Sequence, residues 1–527
     1  MSHDAANSKP SLPVFTTPIH ALVTLERTNG TPLYQQICRG LREAILSGEL
    51  AEGTRLPTER AFARELGVNR TTVMNAYNEL ASEGLIEGHV GRGTVVRRSY
   101  SVDSEEPFAS DVPSWLFGLA EGEDTLLGPD ARVLSEIASM GERKGIISLA
   151  AGTPALEMLP TALLNMVFAD GLFDARQSAL GYCPVEGLQS LRREIAARMR
   201  QRGVAIDLQH VLILSGSTQG IGLIGRFLLS PGDEVVVEVP TYLGAINTFR
   251  ALGARAIGVP MDNEGIRVDL LESILARRQP RFIYTSPTFH NPTGVVMSYE
   301  RRKRLLALAR RYQIPILEDD AYGEIFFDGK ETQPLKAMDK HEQVLYLSTY
   351  SKVLAPGLRV AWLVAPSTMI ERLSLHKQVF DLNTNALGQW AVSEILRHGL
   401  MDAHVQMLRQ HYQQKRDCML QAIATYWPTD VRVNHPNGGF HLWCRLPKDM
   451  RARTLLREAA SEHVAFVIGE PFHVDGGGHQ HIRLSFASPE EAHIVEGIRR
   501  IGDAMHRIQA RHSIRDEETH SEHLPMV

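Results

Sequence analysis

Lys352 stands in Leu347-Ser-Thr-Tyr-Ser-Lys352-Val-Leu-Ala-Pro-Gly-Leu-Arg359. An amine just after a strand can condense with an aldehyde. The hydroxyls of Thr349 and Ser351 and the guanidinium of Arg359 can hold a phosphate beside it. Alone, the segment could equally be a surface lysine near a turn. Five further segments add to it. Ser215-Gly216-Ser217-Thr218-Gln219-Gly220 follows an apolar run and opens a helical one, so its N–H groups and the hydroxyls of Ser217 and Thr218 form a phosphate cup. Asp319 and Tyr322 end a strand in Ile-Leu-Glu-Asp-Asp-Ala-Tyr. A carboxylate there can keep a pyridine nitrogen protonated, and a tyrosine three residues on can bond a ring oxygen. Asn291, in His-Asn-Pro-Thr-Gly, can donate to the same oxygen. Tyr242, in Val-Pro-Thr-Tyr-Leu-Gly, can stack on a ring face. Arg483, in His-Ile-Arg-Leu-Ser-Phe, can clamp a carboxylate with two parallel hydrogen bonds.

These residues need a scaffold that brings distant strand ends together. From about 141 to 507 short apolar runs alternate with longer amphipathic ones. Examples are Val211–Leu214, Glu234–Val239, Phe282–Thr285, Ile314–Glu318 and Val344–Leu347. The alternation predicts an α/β domain with a mostly parallel sheet.

Residues 31–98 have a different pattern. Leu33, Ile37, Leu41 and Ile45 mark one helix face, and Gly48 is expected to end that helix. Thr58 caps a second helix with Phe62 and Leu66 inward, closed by Gly67. Asn69 caps a third helix that buries Val73, Ala76, Tyr77 and Leu80. Two helices joined by a tight turn make a helix-turn-helix, and 85–96 read as a small β-hairpin, or wing. The third helix then presents Arg70, Thr71 and Thr72, with Asn75 one turn on, to base edges in the major groove of double-stranded DNA. Arg55, Arg60 and Arg64 are expected at phosphates, and Arg92 at the wing tip in the minor groove. The module holds nine Arg, no Lys and eight Glu, so charge alone does not identify it as a DNA reader.

The 527 residues suggest more than one domain, and 43% hydrophobic with 22% charged residues excludes wholesale disorder. The net charge of -5 gives no global nucleic-acid signal. No run approaches a membrane span, and residues 1–30, polar and expected to be flexible, lack the pattern of a signal peptide. Cys38, Cys183, Cys418 and Cys444 are far apart, which fits a reducing compartment. Residues 99–140 carry nine acidic side chains against one arginine and read as a solvated linker, with Trp115, Leu116 and Phe117 expected to dock on a neighbouring surface. Residues 508–527 are expected to fray. His473, His479 and His481 cluster around Asp475, where polar loop histidines are favoured over a metal site.

The stretch from Pro32 to Val96 resembles the winged helix of GntR-type bacterial repressors, with Asn69 where serine is usual. Residues 141–507 resemble the fold-type I aminotransferases. The whole is similar to the MocR-type regulators: a small α+β winged helix followed by a large α/β pyridoxal 5′-phosphate domain. This resemblance implies that Lys352 carries the cofactor. It places Asp319 at the ring nitrogen, Asn291 and Tyr322 at the ring oxygen, and Tyr242 on the ring face. It places Ser217, Thr218, Thr349, Ser351 and Arg359 at the phosphate. Arg483 and Gly152 are implied for an amino-acid carboxylate, and Tyr182 for the phosphate of a neighbouring subunit, hence a homodimer. It implies a cytoplasmic, nucleoid-associated bacterial regulator that senses an amino compound; the alternative is a working aminotransferase that carries a DNA-binding domain.

Overall fold

The computed structural model describes residues 18–25, 31–46, 49–51, 53–82, 85–89, 93–97, 145–171, 175, 179–329 and 331–521. The chain divides into two compact units, Met1–Phe117 and Gly118–Val527. Trp115, Leu116, Phe117 and Arg92 lie outside the described residues.

In the first unit, α1 (Leu33–Leu46) buries Ile37, Leu41 and Ile45. Helix α2 (Glu59–Leu66) begins where Thr58 accepts from the Ala61 amide at 3.3 Å and ends at Gly67, whose φ of 62° suits a residue without Cβ. Helix α3 (Arg70–Ser82) follows Asn69, whose Oδ1 accepts from the Thr71 amide at 3.2 Å. Its Val73, Ala76, Tyr77 and Leu80 enter the same core, each large side chain contributing about 1.5–3 kcal/mol. The Tyr77 hydroxyl donates to the Pro57 carbonyl at 2.8 Å, tying α3 to the segment before α2. Strands β1 (Ile86–His89) and β2 (Gly93–Val96) pair antiparallel as the wing. One expectation is corrected. Residues 18–25 belong to this unit: Ile19–Leu22 form a 3-10 turn and Val23 is buried in the core. Gly40 permits this, because a Cβ there would lie 2.8 Å from the Leu22 carbonyl oxygen.

The second unit is built on β3 (Val211–Leu214), β4 (Glu234–Val239), β5 (Arg255–Asp262), β6 (Phe282–Thr285), β7 (Ile316–Asp319), β8 (Val344–Thr349) and β9 (Ala361–Val364). They lie in the order β3-β9-β8-β7-β6-β4-β5, and the short strand Gly265–Ile266 pairs beyond β5. Only β9 among the seven runs antiparallel to its neighbours. Strands covered by helices on both faces read as near-continuous apolar runs; Val211–Leu214 and Phe282–Thr285 are buried at every position, whereas Arg255–Asp262 is exposed at both ends. A smaller antiparallel sheet holds β10 (His441–Arg445) and β11 (His481–Ser485), with Trp443 opposite Arg483. The last helix runs Glu491–Ser521. It continues past 507, where the sequence predicts fraying, with Ile508 still packed in the core.

Candidate functional site

Parallel α/β sheets collect polar groups at the carboxyl ends of their strands. Here Asp319 is the last residue of β7, and Lys352 lies three residues beyond β8. Ser286 follows β6, Tyr242 follows β4, and Ser217 opens α4 (Ser217–Leu228) after β3. Arg483 arrives from the second sheet on β11. Together with Asn291, Tyr322 and Gly152 these residues line one cavity of about 310 Å³. Tyr284, Ser286 and His441, which the sequence reading did not single out, line it too.

Lys352 Nζ donates to the Gly152 carbonyl at 2.7 Å. Burial first, then the nearby Arg483 charge, brings its pKa down to about 8. Asp319 Oδ2 accepts from the Tyr284 hydroxyl at 2.7 Å, while its Oδ1 is buried without a partner. Burial pushes this carboxyl up to about 6, with the Tyr284 bond acting the other way. Arg483 Nη1 donates to Asn291 Oδ1 at 3.0 Å and Nη2 to the Ala150 carbonyl at 2.8 Å, leaving Nε buried and unpartnered. Its guanidinium lies 5.1 Å from the Phe472 ring centroid, and burial lowers its pKa to about 10. The Tyr322 hydroxyl meets His441 Nε2 at 3.2 Å.

Next to this cavity, Thr349 Oγ1 bonds Ser351 Oγ at 2.9 Å, and Arg359 Nη2 donates to the Ser215 carbonyl at 2.5 Å. Glycine suits position 216 by its backbone conformation, and its missing side chain leaves room for the tip of Arg359. The φ there is 132°, and a Cβ would fall 2.3 Å from Arg359 Nη2. Burial raises the Tyr242 pKa, with the neighbouring Thr218 side chain acting the other way. Tyr182 is 87% exposed and does not reach the cavity of its own chain.

The residues fit a phosphorylated pyridine aldehyde. Asp319 Oδ1 is a buried acceptor with no donor, which a ring N–H would satisfy. Lys352 supplies an amine brought toward neutrality. The start of α4 adds amide donors beside Arg359, Thr349 and Ser351.

In the first unit Arg55, Arg60, Arg64, Arg70, Thr71 and Asn75 are exposed and Thr72 is half-buried. Arg70 bonds Glu59 Oε2 from Nε at 3.0 Å and from Nη2 at 2.9 Å. Among the described residues no group of three or more His, Cys, Asp or Glu could hold a metal ion. His473 and His479 instead bond Asp475 and Glu470. Among the described residues no helix is long and apolar enough to cross a membrane.

The sequence matches the aminotransferase class I and II family over residues 144–501 and the bacterial regulatory proteins of the gntR family over 33–96. It is 33% identical over 483 residues to the uncharacterized HTH-type transcriptional regulator YisV of Bacillus subtilis, covering 92% of this chain and 98% of the relative. It is 38% identical over 395 residues to 2-aminoadipate transaminase of Thermus thermophilus, covering 74% of this chain and 97% of that enzyme. Among solved structures, α-aminoadipate aminotransferase LysN of Thermus thermophilus, complexed with N-(5′-phosphopyridoxyl)-L-leucine, superposes with a TM-score of 0.69 at 37% identity. That match covers 76% of this chain and all of the other.

Proposed function

Because the chain belongs to the aminotransferase class I and II family and joins to it a GntR-type DNA-binding domain, the architecture of MocR-type regulators, we propose that it is a transcriptional regulator whose pyridoxal 5′-phosphate site reads an amino acid through its carboxylate. One observation carries the ligand reading. Lys352, Asp319 and Arg483 converge on a single cavity of a chain that also holds a helix-turn-helix.

When bound, pyridoxal 5′-phosphate supplies an electrophilic carbon for amines and a ring that accepts electrons. Lys352 would hold the cofactor, and its Nζ is the group placed to move a proton at the ligand. Asp319 Oδ1 would keep a proton on the ring nitrogen. Ser217, Thr218, Thr349, Ser351 and Arg359 would hold the phosphate, and Tyr242 would lie on the ring face. Asn291 and Tyr322 would bond the ring oxygen. Arg483 would take the ligand carboxylate, exchanging the neutral Ala150 carbonyl for a charged acceptor, with Gly152 adding a backbone contact. Exposed Tyr182 and Leu180 support a homodimer in which Tyr182 serves the partner's site. A ligand changes DNA binding only by binding one arrangement of the protein better than another.

The test is DNA affinity of the full-length holo-protein, measured with each of a panel of amino acids. At least one should shift it several-fold while changing the visible spectrum. If ligands alter the spectrum, none alters DNA affinity, and keto acid accumulates, the protein is instead a working aminotransferase. The 38% identity to a transaminase over 74% of the chain favours that second reading.

A further inference from the structure

We propose that His441 is a positioning residue for Tyr322: its Nε2–H donates to the Tyr322 oxygen, leaving the phenol's own proton to point into the cavity. The inference rests on the reading of that cavity as the pyridoxal phosphate site.

The two groups meet at 3.2 Å, and neither residue is more than 4% exposed. Their rings stand edge to face at 83°. Either side could supply the proton at this contact. A neutral imidazole has a single N–H, and His441 is neutral: burial, then the charges of Arg483 and Lys352, holds its pKa well below the ordinary histidine value. Its other nitrogen, Nδ1, is buried without any partner. A proton on Nδ1 would strand a donor in a dry interior. It would also spend the Tyr322 proton on Nε2. A proton on Nε2 leaves only an unmatched lone pair at Nδ1, and buried acceptors go unpaired at lower cost than buried donors. The Nε2–H form therefore prevails.

Gly152 leaves room for the ring: a Cβ there would lie 2.9 Å from Cε1 and 3.2 Å from Nε2. The backbone of His441 is locked in β10 opposite Ser485, two residues from the pair that holds Arg483. With both nearby cations repelling a second proton, the device works through a fixed tautomer and not through titration. Tyr322, accepting from His441, can donate to an anionic oxygen of whatever occupies the cavity.

The test uses full-length protein with His441→Phe, which keeps a ring but no donor, and His441→Gln, whose amide restores a donor near the Nε2 position. Nitrogen-15 spectra of the apo-protein should show Nε2 protonated and Nδ1 bare. In the holo-protein, the pH midpoint of the cofactor's visible absorbance should rise by about one unit in His441→Phe. It should stay near wild type in His441→Gln. The His441→Phe change should add nothing once Tyr322 is Phe. Protonated Nδ1 in the apo-protein would overturn the proposal, as would an unmoved midpoint in a His441→Phe protein that binds cofactor. A wild-type protein that never takes up pyridoxal phosphate would instead refute the cofactor site, and the apo-protein spectra would still decide the tautomer.

Discussion

The hydroxyl of Tyr284 donates to Asp319 Oδ2 at 2.7 Å, with both side chains sealed from solvent. The carboxyl titrates at about 6 against an ordinary 3.8, so folding favours its protonated form. Its contribution to apo-protein stability is full below pH 3.8 and is lost as pH rises through 6, by roughly 3 kcal/mol in all. Denaturation of apo-protein across roughly pH 4–7.5 should show wild type falling relative to Asp319→Asn up to about pH 6, with parallel curves above. Tyr284→Phe removes a bond that holds this pKa down. The fall should then extend to higher pH, and cofactor affinity should drop on the order of tenfold.

Lys352 should capture the cofactor only as the neutral amine. With its pKa brought down to about 8, the rate of cofactor uptake by apo-protein should rise about tenfold per pH unit below 8 and level off above it. Stopped-flow absorbance measures this. Lys352→Ala should lose the yellow colour of the holo-protein; an unchanged spectrum would show that another amine holds the cofactor.

On the proposed reading Arg483 meets the ligand and Arg359 the phosphate: the donors of Arg483 go to Asn291 and Ala150, while Arg359 lies beside Ser215 and Gly216. Arg483→Ala should therefore weaken amino-acid binding by roughly 10–100-fold, the size of a lost charge-assisted pair, and leave cofactor bound. Spectral titration with amino acids reads both. Loss of cofactor at unchanged ligand affinity per loaded site would reverse the assignment.

Arg70 is exposed at the start of α3 and tied to Glu59 in the protein alone. Arg70→Ala should cost about 1–3 kcal/mol of discrimination between operator and altered sites. Arg60→Ala should weaken binding to all DNA alike and lower the salt slope by about one. Competition binding at two salt concentrations separates the two roles. Intact operator preference in Arg70→Ala would mean that another residue reads the bases.

Much of this molecule is local chemistry and was legible in the chain itself. Helix caps at Thr58 and Asn69, the helix spacing of Val73, Ala76, Tyr77 and Leu80, and the strand-ending positions of Asp319 and Lys352 depend only on nearby residues. They identified the winged helix, the α/β unit and most of the groups that line the cavity. Tertiary structure alone decided the partners behind those groups. Tyr284 lies on a strand buried at every position, so no alternation marks which face meets Asp319, 35 residues away. His441 reaches Tyr322 across 119 residues and from a different sheet. Residues 508–521 read as a tail because their polarity resembles solvated chain, and the short apolar run 19–25 is obscured by the polar stretches that flank it. Val23 and Ile508 nevertheless find cores that only the folded units provide. Propensity and spacing act over a few residues, whereas the pairing of a buried polar atom depends on which distant strand the topology sets beside it.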